Sequence, residues 1–174
     1  MSIITGRGDS GETDLLFGKR IAKTSLRIAA LGDVDELNAA LGLARAAFND
    51  PAMVELIDGL QARLIGLMGQ LATLTEDEAR YREKGFAALH DSDLEWLTAT
   101  AKHWESQGVE LRGWATPGAE GSLARAGLDF ARAVARRAER SVLALHESGE
   151  PVPEVVRLFF NRLSDLLWIL ARRP

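Results

Sequence analysis

The stretch from Pro51 to Leu74, PAMVELIDGLQARLIGLMGQLATL, places Ile57, Leu60, Leu64, Leu67, Leu71 and Leu74 at alternating steps of three and four. That period winds one apolar stripe along a helix and does not fit a strand. Asp50 before Pro51 supplies a capping carboxylate and a proline suited to the first helical position, so the spacing predicts a helix over 51–74. Its other side carries Gly59, Ala62, Gly66 and Gly69. Small residues there weaken the helix but let a second backbone approach closely.

The same reading extends in both directions. Upstream, Asp33 followed by Glu36 reads as a cap, and Val34, Leu37, Leu41, Ala44 and Phe48 carry the helical period, predicting a helix over 33–48. Downstream, Ser92 and Glu95 form a capping-box pattern ahead of Leu94, Leu97, Ala101 and Trp104, predicting a helix over 92–107 that stops at Gly108. Ser122 caps a helix over 123–147. A last helix starts at Pro153 and runs almost to the end, apolar nearly all round and therefore expected at the centre. Residues 75–90 read as a connection or a short helix, and 109–121, with Pro117 and three glycines, as irregular. Residues 1–31 show no helical period and combine Gly6, Gly8, Gly11 and Gly18 with Arg7, Lys19, Arg20, Lys23 and Arg27, the composition of a long functional loop or a tail. The 26 alanines and 26 leucines against 8 valines and 7 isoleucines agree with an all-α bundle of five helices, and 174 residues suit a single domain.

Charge and composition exclude several functions. A formal net charge of −4 argues against a general nucleic-acid binder. No apolar run reaches the length of a membrane span, and the first residues lack a signal-peptide pattern, so a soluble cytoplasmic protein is expected. The absence of Cys removes disulfides, thiolate metal sites and a thiol nucleophile. His90, His103 and His146 have no ligand spacing, so no metal site built by the protein alone is expected. Gly6-Arg7-Gly8-Asp9-Ser10-Gly11 formally matches G-x-G-x-x-G, but neither flank supplies the strand and helix of a dinucleotide fold. What remains is a glycine-rich turn whose N–H groups, with the Thr5, Ser10 and Thr13 hydroxyls and nearby cations, can face phosphate oxygens.

The strongest chemical pattern lies in 123–147, where Arg125, Arg132, Arg136 and Arg140 share one helical face. It reads either as a solvated basic face paired with Asp129, Glu139 or carboxylates of 33–48, or as an anion site built from forked guanidinium donors. Arg157, Asn161, Asp165 and Trp168 form the one polar line of the last helix. There Asn161 and Asp165 either satisfy the arginines or divide the work, Asn161 on a ligand and Asp165 fixing an Arg. Asp35, Asn38, Gly42 and Arg45 share a face of the first helix, with Asp35 placed to pair with an Arg of 123–147 from the same or a neighbouring subunit.

Three ordered blocks complete the reading: Thr5 to Thr13 with Gly18-Lys19-Arg20 and Lys23; Gly32-Asp33-Val34-Asp35-Glu36-Leu37-Asn38 with Leu41 to Arg45; and Ala131 to Arg140 followed by Asn161 to Leu167. Together, over about residues 3–172, the chain resembles the PduO-type ATP:cob(I)alamin adenosyltransferases, whose corresponding motifs are T-K-T-G-D-x-G-x-T, G-T-V-D-E-L-N-x-x-L-G-x-A and the paired arginine and asparagine segments. The resemblance implies a ferritin-like five-helix bundle assembled as a homotrimer with active sites between subunits, residues 1–31 acting as ATP-binding loop on the bundle 32–174. It implies ATP contacts from Thr5, Gly6, Arg7, Gly8, Thr13, Lys23, Arg136, Arg137, Glu139, Arg140 and Asn161. An ion pair between subunits would join Asp35 to Arg132 or Arg136, with Asp165 and Trp114 also at the reaction site. The implied reaction moves the 5′-deoxyadenosyl group of ATP to Co(I) of a corrinoid such as cobalamin, with Mg²⁺ arriving on ATP. Implied partners are a flavoprotein reductant and an adenosylcobalamin-dependent enzyme.

Four positions depart from the family pattern. Trp114 stands where a Phe resembles a wedge against the lower axial cobalt ligand, Gly6 replaces a Lys, Leu31 an aromatic and Asp33 a Thr. Two other readings follow, a non-catalytic relative that binds ATP or adenosylcobalamin, and a helical scaffold without a small ligand. The net charge also hides a pattern: residues 1–30 carry +2, 31–110 carry −9 and 111–174 carry +3, so a triphosphate site is expected at the two positive ends.

Overall fold

The computed structural model describes residues 4–109 and 115–173. In chain order they form β1 (Glu12–Asp14), β2 (Arg20–Ala22), α1 (Leu26–Ala47), α2 (Pro51–Leu71), α3 (Glu78–Glu83), α4 (Asp91–Glu105), α5 (Leu123–Glu147) and α6 (Glu154–Ala171). The helical class expected from composition holds. Among the described residues there are six α-helices: five of at least 15 residues each, and the short α3 within 75–90, the second of the two readings of that segment. The segment expected to be loop contains an antiparallel hairpin with Thr13 opposite Ile21. No helix among the described residues is long and apolar enough to cross a membrane.

Helix α1 begins seven residues before the expected start at 33. Ser25 is its cap, accepting from the Ile28 N–H at 3.3 Å, and Asp33 is interior. The buried stripe is Arg27, Ala30, Val34, Leu37, Leu41 and Ala44, so an arginine at its first position conceals the period in the sequence. Arg27 is only 3% exposed. Its guanidinium donates to the Leu71 carbonyl at 2.7 Å and the Thr73 carbonyl at 3.1 Å and pairs with Glu150. A cation there satisfies carbonyls that the end of a helix leaves open, and α2 stops at Leu71 rather than 74. Helix α4 starts at Asp91, one residue early, because the Asp93 carboxylate rather than Glu95 accepts from the His90 N–H, at 2.9 Å.

The centre is the antiparallel pair α1 and α5, packed through small side chains. Ala30, Ala40 and Ala44 on α1 and Ala131, Ala135 and Ala138 on α5 are all buried. A Cβ on Gly127 would lie 3.0 Å from Ala44 Cα, so the two backbones are nearly in contact there. Around this pair, α2 lies on α1, held by the Arg45–Asp58 bridge and by Gln61 donating to the Asn38 carbonyl at 3.1 Å. Helix α6 lies on α5, and α4 on α6. The ring closes where Arg63 of α2 bridges Asp93 at 2.9 Å and sits 3.7 Å above the Trp96 ring of α4. The glycine stripe of α2 admits a backbone, as its spacing suggests: a Cβ on Gly66 would be 3.2 Å from the main chain of Ala87 and Ala88.

Helix α6 buries Val156, Phe159, Phe160, Leu163, Leu166, Leu167 and Leu170 but is not surrounded on every side, since Asn161 and Asp165 are exposed. The Asn161 and Asp165 part of its polar line therefore faces outward, whereas Arg157 Nε is buried without a hydrogen-bond partner among the described residues.

The Gly127 contact leaves no room for a branched side chain. Gly127→Val should lower the unfolding free energy by about 1 to 3 kcal/mol through overpacking, read as a lower urea midpoint at 25 °C. A second expectation concerns Asp50, which accepts from the Ala52 N–H at 3.0 Å and bridges Arg173 at 2.8 Å. The Arg173 guanidinium, aided by the Ala52 and Met53 N–H groups and opposed by desolvation, holds this carboxyl below its usual 3.8. A depressed folded-state value contributes stability above the unfolded value that is lost as pH falls through the folded one. Asp50→Asn keeps a good cap but loses the bridge, so its melting temperature should fall below wild type at pH 7 and converge on it as pH drops through the lowered folded-state value of Asp50.

Candidate functional site

Residues 5–23 form a folded loop rather than a tail. Asp9 N–H donates to the Gly6 carbonyl at 3.1 Å and Gly11 N–H to the Gly8 carbonyl at 3.2 Å, making two successive turns. Lys23 N–H then donates to the Gly11 carbonyl at 2.8 Å and closes the hairpin. Gly6 at φ +66° and Gly11 at φ +85° take backbone conformations that glycine accepts without strain. Arg7 Nη2 pairs with Asp14 at 3.2 Å. Arg20 bridges Glu12 and Asp14, both at 3.2 Å, and donates to the Arg7 carbonyl at 3.0 Å. Two loop arginines are thus engaged in holding the turns. Lys23 has no ion-pair or hydrogen-bond partner for its ammonium among the described residues, and a Cβ on Gly8 would lie 2.8 Å from that ammonium. Gly8 therefore leaves the space in which Lys23 lies against the turn. Thr5 and Lys23 are exposed. Thr13 meets Asp35, Leu31 and Gly32 in a shallow cleft beneath the hairpin, to which α5 and α6 contribute nothing.

The arginine row of α5 divides into engaged and free members. Arg125 pairs with Glu120, and Arg132 Nε pairs with Asp129 at 3.4 Å, a carboxylate that Arg172 also grips at 3.1 Å. Arg137, off that row, reaches Asp33 at 3.1 Å and also pairs with Glu36, while the Ser141 hydroxyl donates to the same Asp33 carboxylate. Glu36 first, then Asp33, raises the Arg137 guanidinium above its ordinary value. Arg136 and Arg140 are exposed and have no partner among the described residues. The α1 carboxylates that meet α5 within the chain are thus Asp33 and Glu36, whereas Asp35 is exposed and turns toward the hairpin cleft. Bonds at both ends of the α5–α6 pair, His146 Nδ1 with the Val152 N–H at 3.4 Å and Asp129 with Arg172, fix an antiparallel register. It sets Arg140 about level with Asn161 and Arg136 about level with Asp165. Asp165 makes no bond to an α5 arginine and lines a groove between α4 and α6 with Lys102, Arg162 and Trp168. Glu139 is half-buried on α5, and Trp114 lies outside the described residues.

Within one chain, the sequence-marked residues therefore fall into two groups, Thr5, Gly6, Arg7, Gly8, Thr13, Lys23 and Asp35 at the hairpin, and Arg132, Arg136, Arg137, Glu139, Arg140, Asn161 and Asp165 on α5 and α6. Among the described residues, no group of three or more His, Asp or Glu is arranged to hold a metal ion.

Residues 3–173 match the family model for cobalamin adenosyltransferase. The chain belongs to the cobalamin adenosyltransferase family. It is 36% identical over 175 residues to the corrinoid adenosyltransferase PduO of Citrobacter freundii, covering 99% of this chain and 49% of that protein. It thus spans about half the length of that relative. It is 36% identical over 172 residues to the corrinoid adenosyltransferase of Mycobacterium leprae, covering 98% of this chain and 89% of the relative. Among solved structures it resembles a Phe-to-His variant of a PduO-type ATP:corrinoid adenosyltransferase from Lactobacillus reuteri complexed with cobalamin and ATP. The TM-score is 0.87 and the identity 29%, over 98% of this chain and 89% of that one. An Arg-to-Lys variant from the same organism, complexed with ATP, gives a TM-score of 0.83 at 28% identity over 98% of this chain and 92% of that one.

Sequence reasoning passed over Asp33, Glu36 and Ser141 as the residues that hold Arg137. Their spacing carried a signal, since Asp33 and Glu36 are three apart on α1 and Arg137 and Ser141 four apart on α5, each pair on one helical face. In this cobalamin adenosyltransferase-family chain, Arg137→Ala should lower the melting temperature because it leaves two carboxylates facing each other, whereas Arg140→Ala should leave it unchanged. Differential scanning calorimetry of both variants distinguishes the engaged from the free arginine.

Proposed function

We propose that the chain transfers the 5′-deoxyadenosyl group of ATP to the Co(I) of a reduced corrinoid. Family membership supports the reaction class. The observation that carries the reading at residue level is the set of cations without a partner among the described residues, Lys23 on the loop and Arg136 and Arg140 on α5. A folded protein leaves such charges in a row at an electrostatic cost, and a polyanion removes it.

In this reading Co(I) supplies the electron pair. The Co–C5′ bond forms as the C5′–O bond breaks, and triphosphate departs with the electrons of that bond. The nucleophile is the substrate's own, so the protein's part is to align C5′ and stabilise the leaving polyanion. Lys23, the Gly6–Gly11 turns and the Thr5 and Thr13 hydroxyls hold the phosphates from one side. Arg136, Arg137 and Arg140, with Glu139 and Asn161, hold ATP from the other, and Mg²⁺ travels with the phosphates. The two groups occupy separate places in one chain, which supports a homotrimer whose sites lie between subunits, the loop of one facing α5 of the next. Asp35, exposed beside the loop, is then placed to pair with Arg132 or Arg136 across the interface, and Asp165 to orient an arginine there. Trp114 supplies a flat apolar face against the corrinoid. A flavoprotein that generates Co(I), an adenosylcobalamin-dependent enzyme that receives the product and a cytoplasmic setting complete the proposal.

The substitution of Gly6 for the family's Lys favours one second reading, a relative that binds ATP or adenosylcobalamin without turnover. Mixing the protein with ATP, Mg²⁺ and chemically reduced cobalamin should generate the adenosylcobalamin spectrum. Loss of one guanidinium aimed at the leaving group costs about 2 to 4 kcal/mol in the transition state, so Arg136→Ala should lower turnover at least about 30-fold. A spectrum no different from a protein-free control, with cofactor binding intact by calorimetry, would support the second reading instead.

A further inference from the structure

We propose that Phe17, Arg80 and Phe86 form a latch that positions the N-terminal loop, so that α3 and the residues following it set the loop's affinity for ATP. The inference rests on the reading of residues 5–23 as the ATP loop.

A two-stranded hairpin with three-residue strands does not hold its shape alone in water. The order of this loop must come from what it docks on. Phe17, at the hairpin turn, has φ 61° and is the one non-glycine residue among those described in the left-handed region. A bulky side chain stays in that conformation when its surroundings compel it. Here the compulsion is the ring's packing. The Phe17 ring stacks on Phe86 with centroids 6.3 Å apart and planes at 21°, and the Arg80 guanidinium lies 4.4 Å from the Phe17 centroid. Phe86 is fixed in turn by an edge contact to Tyr81 at 5.2 Å, and the Tyr81 hydroxyl donates to the Ala87 carbonyl. The turn is tied to the same region twice more, by the Leu16 N–H to the Ala72 carbonyl at 3.1 Å and by Lys19 with Glu76.

All these anchors sit at one end of the hairpin. The other end carries the Gly6–Gly11 turns and the free Lys23 ammonium. With the turn clamped, the open end is already in position when the anion arrives. With it released, ATP binds only the fraction of molecules whose loop is docked, and the apparent affinity falls by that fraction. Phe17, Arg80 and Phe86 are thus positioning residues.

Steady-state kinetics with varied ATP and with varied corrinoid, joined to amide hydrogen exchange, test this. Phe86→Ala should raise KM for ATP about tenfold while kcat and KM for corrinoid stay within about twofold. Phe86→Tyr should behave as wild type, and Arg80→Ala should raise KM for ATP by about two- to fivefold, the scale of one exposed cation–π contact. Exchange at the Leu16 and Lys23 amides should accelerate in Phe86→Ala while α5 keeps its protection. An unchanged KM for ATP, an unchanged exchange rate at those amides, or a loss confined to kcat overturns the latch. A wild-type protein that binds no ATP by calorimetry overturns the ATP-loop reading instead, and the exchange comparison still decides whether Phe86 holds the hairpin.

Discussion

The near-contact of Gly127 with Ala44 governs the arrangement of the molecule. Because α1 and α5 meet through glycine and alanine, their axes lie closer than leucine side chains would permit, and one face of α5 is committed to the core along its whole length. The arginines of that helix then have only the opposite face to occupy. Helices α2 and α6 fill the flanks with larger side chains, and α4 closes the ring through Arg63. The concentration of positive charge on one surface is therefore a by-product of packing as much as of chemistry: a helix that is alanine on one side carries its long polar side chains on the other.

Electrostatics within the chain are sorted by the same geometry. Where α1 passes α5, Asp33 and Glu36 neutralise Arg137. Near the α6 end Asp129 serves both Arg132 and Arg172. Between these, Arg136 and Arg140 make no ion pair among the described residues, and the Lys23 ammonium at the hairpin is likewise unpaired among them. Engaged cations brace the scaffold and free ones face outward, a division that net charge does not reveal.

Much of this is legible in the sequence. The period of 51–74 located α2, and Ser122 with the alternating pattern after it located α5 from end to end. Legibility failed where a residue acts against its type. Arg27 occupies a core position because its guanidinium meets the open carbonyls of α2, so a cation at the first core position conceals two turns of α1. The hairpin was missed because its strands are three residues long and draw their order from contacts with residues 72 to 86, far from them in sequence. At the candidate site, the residue types and the helical faces were readable. Which arginine each carboxylate would meet was not: Asp33, Asp35 and Glu36 differ by one turn of α1, and only the register between α1 and α5 chooses among them.

That register has a consequence for how the chain reaches its structure. Arg137 and Asp33 are 104 residues apart in sequence, and Arg27 and Glu150 are 123 apart. The central helix pair therefore cannot zip up from a local turn, and closing so long a loop carries an entropic cost before any central contact repays it. Among helical proteins, which as a class fold quickly through local contacts, this chain has the topology of a slow one. Its first helix must wait for its fifth, exposing an alanine-lined face until most of the sequence has emerged.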